Sequence, residues 1–430
     1  MIRIVLSMVV FVILLATHAA AQANSLPLSL EDCVRLAQSA QSAIGVARQQ
    51  SEIARYGLTQ ARAGFLPQAR LNNGFTYNSP LLYNPNLFSF VPLNGIREYA
   101  SVLNTALEVD TSGRLRALLA RAHADQDVAA ATLGITQRDL RRLVTTVFYQ
   151  LQLERRLVQA AQDTLAEARS FEARTQLLLK NGEAAQGDLV KASAQVAFLE
   201  QALSAAELQA LVANHTLASF WTRDVNTLLT LQDVLDQPSP PLLEEKPDEG
   251  TRDPFLRRLE FNFLEAQQRG FLADSRRARA EMLPQASVVF QYGVDSTQPL
   301  IRDRGYAGIF NFSIPVFDWF KARNASRQFQ LQAKQVEFSR QIAERTLSKE
   351  YWDAVERIKK IYEQISMTQT QVKFSEDNLR ISRLRYEGGE GAAFDVVAAQ
   401  TQLAQARTNY YTALASYWIA KADLQVASGR

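Results

Sequence analysis

One helical pattern occurs twice in this chain, and that constrains the fold more than any other feature. Leu189, Ala192, Val196, Leu199, Leu203, Ala206 and Ala210 advance in alternating steps of 3 and 4, the seam of a heptad repeat. Val396, Ala399, Leu403, Ala406, Tyr410, Ala413 and Tyr417 advance in the same steps, each 207 residues further on. The approach to each helix is shared as well. Asn181-Gly182-Glu183-Ala184-Ala185-Gln186-Gly187-Asp188 aligns with Gly388-Gly389-Glu390-Gly391-Ala392-Ala393-Phe394-Asp395 at that offset, so that Gly182, Glu183, Ala185 and Asp188 meet Gly389, Glu390, Ala392 and Asp395. A glycine turn followed by a seamed helix is used twice. The small seam residues allow close helix approach.

The duplication extends upstream. Ala61-Arg62-Ala63-Gly64-Phe65-Leu66-Pro67-Gln68-Ala69 matches Ala278-Arg279-Ala280-Glu281-Met282-Leu283-Pro284-Gln285-Ala286 at seven of nine positions, now 217 residues apart. The difference of ten residues between the two offsets falls in the intervening segment of the first copy. Length changes concentrate at surface loop tips, and Asn78 to Glu98 is rich in proline and asparagine. It reads as a long loop.

Between the shared motifs the pattern changes period. Ser29 is a candidate helix cap, with helix to about Ala63. Gln68 to Tyr77 then alternates, with Ala69, Leu71, Phe75 and Tyr77 on one side and Gln68, Arg70, Asn72 and Thr76 on the other, as in a strand with one apolar and one polar face. Tyr99 to Val109 alternates again, which makes a hairpin over 68–109. A helix from Gly113 to Asn181 spans about 68 residues, or about 100 Å at 1.5 Å per residue, and the heptad helix returns from Asp188 to about Trp221. The second copy repeats this with a helix from about Pro254, strands at Gln285 to Val294 and Tyr306 to Val316, a long helix from Lys321 and the closing heptad helix. The expected divisions are a first repeat over 24–235 with helical hairpin 113–222, a proline-rich acidic linker over 236–254, and a second repeat over 255–430 with β-hairpin 285–316 and helical hairpin 321–428.

Residues 1–23 have the early charge, apolar run and small-residue cleavage sites of a secretory signal peptide. No later segment reads as an apolar run long enough for a membrane-spanning helix. Entry into a membrane would then require a closed β-barrel. Cys33 is the lone cysteine and lies away from any lipidation junction, so it reads as a packing residue and no lipid anchor is expected. Lys and Arg total 47 against 44 Asp and Glu, which gives no reason to expect nucleic acid. His123 and His215 have no metal-ligand spacing and read as helix-surface residues. No nucleophile, base and orienting group form a set. The expectation is a protein without enzymatic activity, cofactor or metal.

Strands of about ten residues are long enough to cross a bilayer when tilted, but four cannot close a barrel. Several subunits must contribute jointly, and three copies would supply twelve strands. Phe75, Tyr77, Phe290, Tyr292, Phe310 and Phe312 would then face lipid, while Arg70, Asn72, Gln285, Ser287, Gln291 and Asn311 would face water. The alternatives are a soluble sheet packed on a core, or a periplasmic coiled-coil adaptor.

The helix-Leu-Pro-Gln-strand junctions at Leu66-Pro67-Gln68 and Leu283-Pro284-Gln285, with Arg385-Tyr386-Glu387-Gly388-Gly389 before Asp395-Val396-Val397, resemble the TolC-like outer membrane efflux proteins across the whole mature chain. The resemblance implies an α+β membrane protein: a homotrimer whose twelve-stranded β-barrel lies in the outer membrane lipid of a Gram-negative-type bacterium, with a periplasmic α-helical barrel below it. It implies the exit duct of a tripartite efflux pump, or of a type I secretion system, working with a periplasmic adaptor and an inner-membrane pump of the RND or ABC type. It further implies a periplasmic gate in which Tyr386 bonds to Asp188, with an acidic ring at Asp395. The tip residues Gly182, Glu183, Ala185, Gly389, Glu390 and Ala392 would meet the adaptor. Gly391 stands where some members carry a gate arginine and Ala398 where some carry a second acid, so this gate would have fewer ion pairs. Helix capping is the other reading of Asp188 and Asp395.

Overall fold

The computed structural model describes residues 27–40, 42–81, 84–88, 97–240, 253–298 and 300–430. The expected signal peptide and residues 241–252 of the expected linker lie outside the described residues. The elements run α1 (Leu30–Ser39), α2 (Ala43–Ala63), β1 (Gln68–Tyr77), β2 (Pro80–Leu81), β3 (Asn84–Phe88), β4 (Arg97–Val109), α3 (Arg114–Lys180), α4 (Gln186–Ala218), α5 (Leu259–Ala280), β5 (Gln285–Ser296), β6 (Gly305–Ser313), α6 (Lys321–Glu387) and α7 (Ala393–Ala427). The order helix, two long strands, long helix, heptad helix occurs twice, as α2, β1, β4, α3, α4 and as α5, β5, β6, α6, α7, while α1, β2 and β3 occur in the first half alone.

Several boundaries differ from expectation. The helix expected from Ser29 to Ala63 is two helices. Ala40 is extended, and the Ser39 hydroxyl donates to the Leu36 carbonyl at 2.9 Å, a local bond that competes with helix continuation. Pro254–Arg257 is a 3-10 turn and Arg258 is extended, so α5 begins only at Leu259. The final strand stops at Ser313, two residues before Pro315. The 78–98 loop contains the short β2–β3 ladder, and its residues 82–83 and 89–96 lie outside the described residues.

The chain divides into two compact units. One comprises 46–135 and 259–345 and contains the sheet, ordered β1-β4-β5-β6 and antiparallel throughout. The register places Leu71 opposite Leu103, Leu103 opposite Tyr292 and Tyr292 opposite Tyr306. Because side chains alternate along a strand, Phe75, Tyr99, Phe290, Phe310 and Phe312 share that face. Arg70, Asn104, Gln291, Ser287 and Asn311 share the other, where Gln291 donates to Asn104 at 2.7 Å. Both edges, β1 and β6, are exposed almost throughout.

The Leu-Pro-Gln signature has a physical basis. The Gln68 amide donates to the carbonyls of Ala63 and Leu66 at 2.9 and 3.1 Å. Gln285 donates to Ala280 and Leu283 at 2.8 and 3.1 Å. Each glutamine closes off carbonyls left open at a helix C-terminus, while proline prevents the helix from continuing. At the other end of the hairpin, Asp110 accepts from the N–H groups of Leu115 and Arg116 at 2.9 and 3.2 Å, capping α3.

The second unit comprises residues up to 45 together with 136–258 and 346–430. Its core joins Cys33, Phe148, Leu151, Leu217, Leu235, Ile358, Leu414 and Tyr417. An irregular strap over 222–240 is held to the helices by side chains. Asn214 accepts from Leu229 N–H at 3.1 Å and donates to the Thr227 carbonyl at 2.9 Å. Gln152 donates to the Gln232 carbonyl at 2.8 Å and Trp418 to that of Leu235 at 3.2 Å. Helix α4 meets the length and composition of a membrane-crossing helix, contrary to the reading of the sequence. Its apolarity is spread around the helix: Ala192, Val196 and Leu199 are buried in the seam, and Val190, Phe198 and Leu208 are exposed elsewhere.

Two measurements test this packing. Burial alone would raise the Asp110 carboxyl, but hydrogen bonds from Arg116 and from the Leu115 and Arg116 N–H groups outweigh it and hold the group below its ordinary value of 3.8. Its stabilisation is therefore complete above the unfolded value and is lost as the pH falls through the lower native value. Asp110→Ala should cost about 1–2 kcal/mol at neutral pH, and denaturant titrations in progressively stronger acid should show that gap closing. Cys33 is fully buried, and burial pushes its thiol up to about 11. A maleimide should react with the folded protein at least about 100-fold more slowly than with the denatured chain at neutral pH, because the thiolate is the reactive species.

Candidate functional site: the helical tips

Two turns reverse the long helices, and they are built alike. At the first, Gly182 takes φ +77, Glu183 N–H donates to the Leu178 carbonyl at 2.8 Å and Gly182 N–H to that of Leu179 at 3.0 Å. At the second, Gly389 takes φ +77, Glu390 N–H donates to Arg385 at 2.9 Å and Gly389 N–H to Tyr386 at 3.1 Å. This pair of bonds is the Schellman motif, and the left-handed residue at its centre favours glycine. The exposed residues Glu183 and Ala185 of one tip, and Glu390 and Ala392 of the other, follow in register.

The two acids occupy matched positions inside their helices. Asp188 N–H donates to the Ala185 carbonyl and Asp395 N–H to that of Ala392, both at 3.0 Å. Each is the third helical residue, with Ala185 and Ala392 at the cap positions, so the capping expectation holds for Asp395, which bonds back to the helix start, and fails for Asp188, which does not. Asp395 reaches back to accept from the Ala392 N–H at 3.3 Å. Asp188 is half-buried and lies 3.9 Å from the Lys191 ammonium. An anionic side chain in the first helical turn is favourable in both places.

Tyr386 is placed differently. Its ring is buried against Phe171, centroids 5.1 Å apart and near edge-on, in a cluster with Leu178, Ala192, Ala393 and Val396. Its hydroxyl is buried with no hydrogen-bond partner among the described residues. Within one chain the fold thus brings Tyr386 and the seam residues together, and leaves Asp188 half-buried and Asp395 exposed. Buried tyrosine hydroxyls ordinarily find a partner.

Sequence reasoning did not anticipate the buried polar groups of the seam above the tips. Gln195 donates to Thr401 at 3.3 Å between α4 and α7, and Gln400 is almost wholly buried. They occupy positions beside the seam residues, where periodicity marks nothing. His215, expected on the surface, is half-buried, and its buried Nε2 has no hydrogen-bond partner among the described residues. Among the described residues no group of histidine, cysteine and carboxylate side chains is arranged to hold a metal.

A family model described as outer membrane efflux protein matches residues 34–223 and 256–430. No curated protein sequence matches the chain. Among solved structures, the CmeC outer membrane channel of Campylobacter jejuni is 16% identical with a TM-score of 0.82, the match covering 93% of this chain and 85% of that one. The outer membrane protein VceC of Vibrio cholerae is 15% identical with a TM-score of 0.80, covering 93% and 96%. The open state of the MtrE outer membrane channel of Neisseria gonorrhoeae is 18% identical with a TM-score of 0.77, covering 93% and 88%. With the duplicated tips and the two-faced sheet, the matched residues show that the chain belongs to the outer membrane efflux protein family, whose members are outer membrane channels with a periplasmic helical part that serve as exit ducts of efflux pumps.

Proposed function

We propose that three copies of this chain form one passive duct, each contributing four strands to a twelve-stranded barrel. The observation that carries this reading is the sheet itself. Its order leaves β1 and β6 as edges, and hydrocarbon offers no partner for their unpaired N–H and C=O groups. Pairing β6 of one copy with β1 of the next removes every edge. The apolar face then meets lipid and the polar face lines the lumen. Exposed apolar residues on the helices, Val190, Phe198 and Leu208 of α4 and Phe374, Ile381 and Leu384 of α6, supply helix contacts between copies.

At the periplasmic mouth Tyr386 bonds to Asp188 once a small rearrangement of the tip opens its enclosed hydroxyl, and Asp395 forms a single acidic ring. Gly391 and Ala398 supply no further charge to that ring. The exposed tip residues Gly182, Glu183, Ala185, Gly389, Glu390 and Ala392 form the docking surface for a periplasmic adaptor, which couples the duct to an inner-membrane pump of the RND or ABC type. The duct performs no chemistry of its own, since energy enters at the inner membrane.

In planar bilayers Asp188→Ala and Tyr386→Phe should each raise single-channel conductance; no change in either variant would reduce the two residues to packing and helix-dipole roles. The docking assignment is tested by crosslinking in cells from Ala392→Cys in a Cys33→Ser background. Recovery of an adaptor together with an inner-membrane transporter is expected, and recovery of outer membrane neighbours alone would overturn it.

A further inference from the structure

The lipid face of the sheet is not uniform. Near the loop end it holds a concavity of about 640 Å³. Phe75, Tyr99 and Tyr292 form its walls, and Arg304, from the connection between β5 and β6, stands exposed at its rim. The floor is polar: Ser101 Oγ donates to Asn73 Oδ1 at 2.8 Å. A Cβ on Gly293, which also lines the hollow, would lie 2.0 Å from the Ser101 carbonyl oxygen, so only glycine fits there beside β4.

A polar pair in a band of aromatic residues is costly unless its hydrogen bonds are met. The bond between Ser101 and Asn73 uses one donor and one acceptor, and among the described residues the Asn73 amide N–H groups have no acceptor. An acyl chain alone would fill the walls and waste the floor. A lipid carrying an ester or amide carbonyl beside its acyl chain satisfies both, and a phosphate at the level of Arg304 completes the match. Charge favours an anion here. Arg97, Arg302 and Arg304 are exposed at this end of the sheet; of the acids there, Asp303 lies 3.7 Å from Arg302, while Glu98 and Asp295, opposite Thr76 and Ala100 in the register, belong to the other face. The opposite ends of the strands lead into the periplasmic helices, so the hollow opens to the outward leaflet.

We infer that this concavity is a binding site for a phosphorylated, acylated saccharolipid of the outer leaflet, with an acyl chain against Phe75, Tyr99 and Tyr292, a carbonyl on Asn73 and a phosphate on Arg304. The inference rests on the reading that this face meets lipid. The test is native mass spectrometry of the detergent-purified trimer incubated with bisphosphorylated lipid A, with its dephosphorylated form or with phosphatidylethanolamine. The expected result is selective retention of the bisphosphorylated lipid. Arg304→Gln should lower the bound fraction about tenfold, the scale of one charge-assisted hydrogen bond. Ser101→Phe, which fills the hollow, should abolish retention. Equal retention of all three lipids, or unaltered retention in both variants, overturns the proposal. Heat-sensitive migration of the trimer on gels separates the two failures: its presence with no lipid retained overturns the site alone, and its absence from the unaltered protein overturns the barrel reading on which the site depends.

Discussion

A strand edge placed in hydrocarbon leaves its outward N–H and C=O groups without partners, at several kcal/mol for each unsatisfied group. That constraint governs the rest of this protein. Its sheet has edges at β1 and β6 and an apolar face made by register between the two halves of a duplication. No rearrangement of four strands removes the edges. On the proposed reading the chain is a fraction of a barrel, and its exposed apolar helix faces are contacts completed by further copies.

The helices answer a different requirement. Seam residues such as Ala192, Val196, Ala399, Ala406 and Leu403 are buried, so helix packing rests on small and branched side chains in heptad register. Where regular structure ends, side chains take over the satisfaction of backbone groups. Gln68 and Gln285 close helix carbonyls, Asp110 caps α3, and Asn214, Gln152 and Trp418 hold the irregular strap. Buried backbone that is not in helix or sheet must find such partners.

Much of this was legible in residues. The glycines at 182 and 389 announced turns because the Schellman motif needs a left-handed residue. The Leu-Pro-Gln pair announced a helix-to-strand junction before the hydrogen bonds of Gln68 and Gln285 were seen. Other features left no trace. Trp319 and Phe320 adopt φ of +55 and +61, a region that bulky residues rarely enter, and their aromatic identities conceal the turn between β6 and α6. The break after Ser39 was missed because no proline or glycine marks it. Asp188 and Asp395 match one another in the sequence, but that Asp395 bonds back to its helix start and Asp188 does not is decided by the backbone and side-chain conformation.

The sequence by itself determined the duplication, the alternation that gives each strand two faces, and the heptad seams, because periods of 2 and 3.5 are properties of local geometry. Tertiary structure alone decided that β4 pairs with β5, which unites two hairpins into one sheet with a continuous apolar face. It also decided that the Tyr386 hydroxyl is enclosed without a partner among the described residues, and that Gly293 lines a hollow on the apolar face at a position no side chain could occupy. These depend on contacts between residues far apart in the chain, and no local period records them.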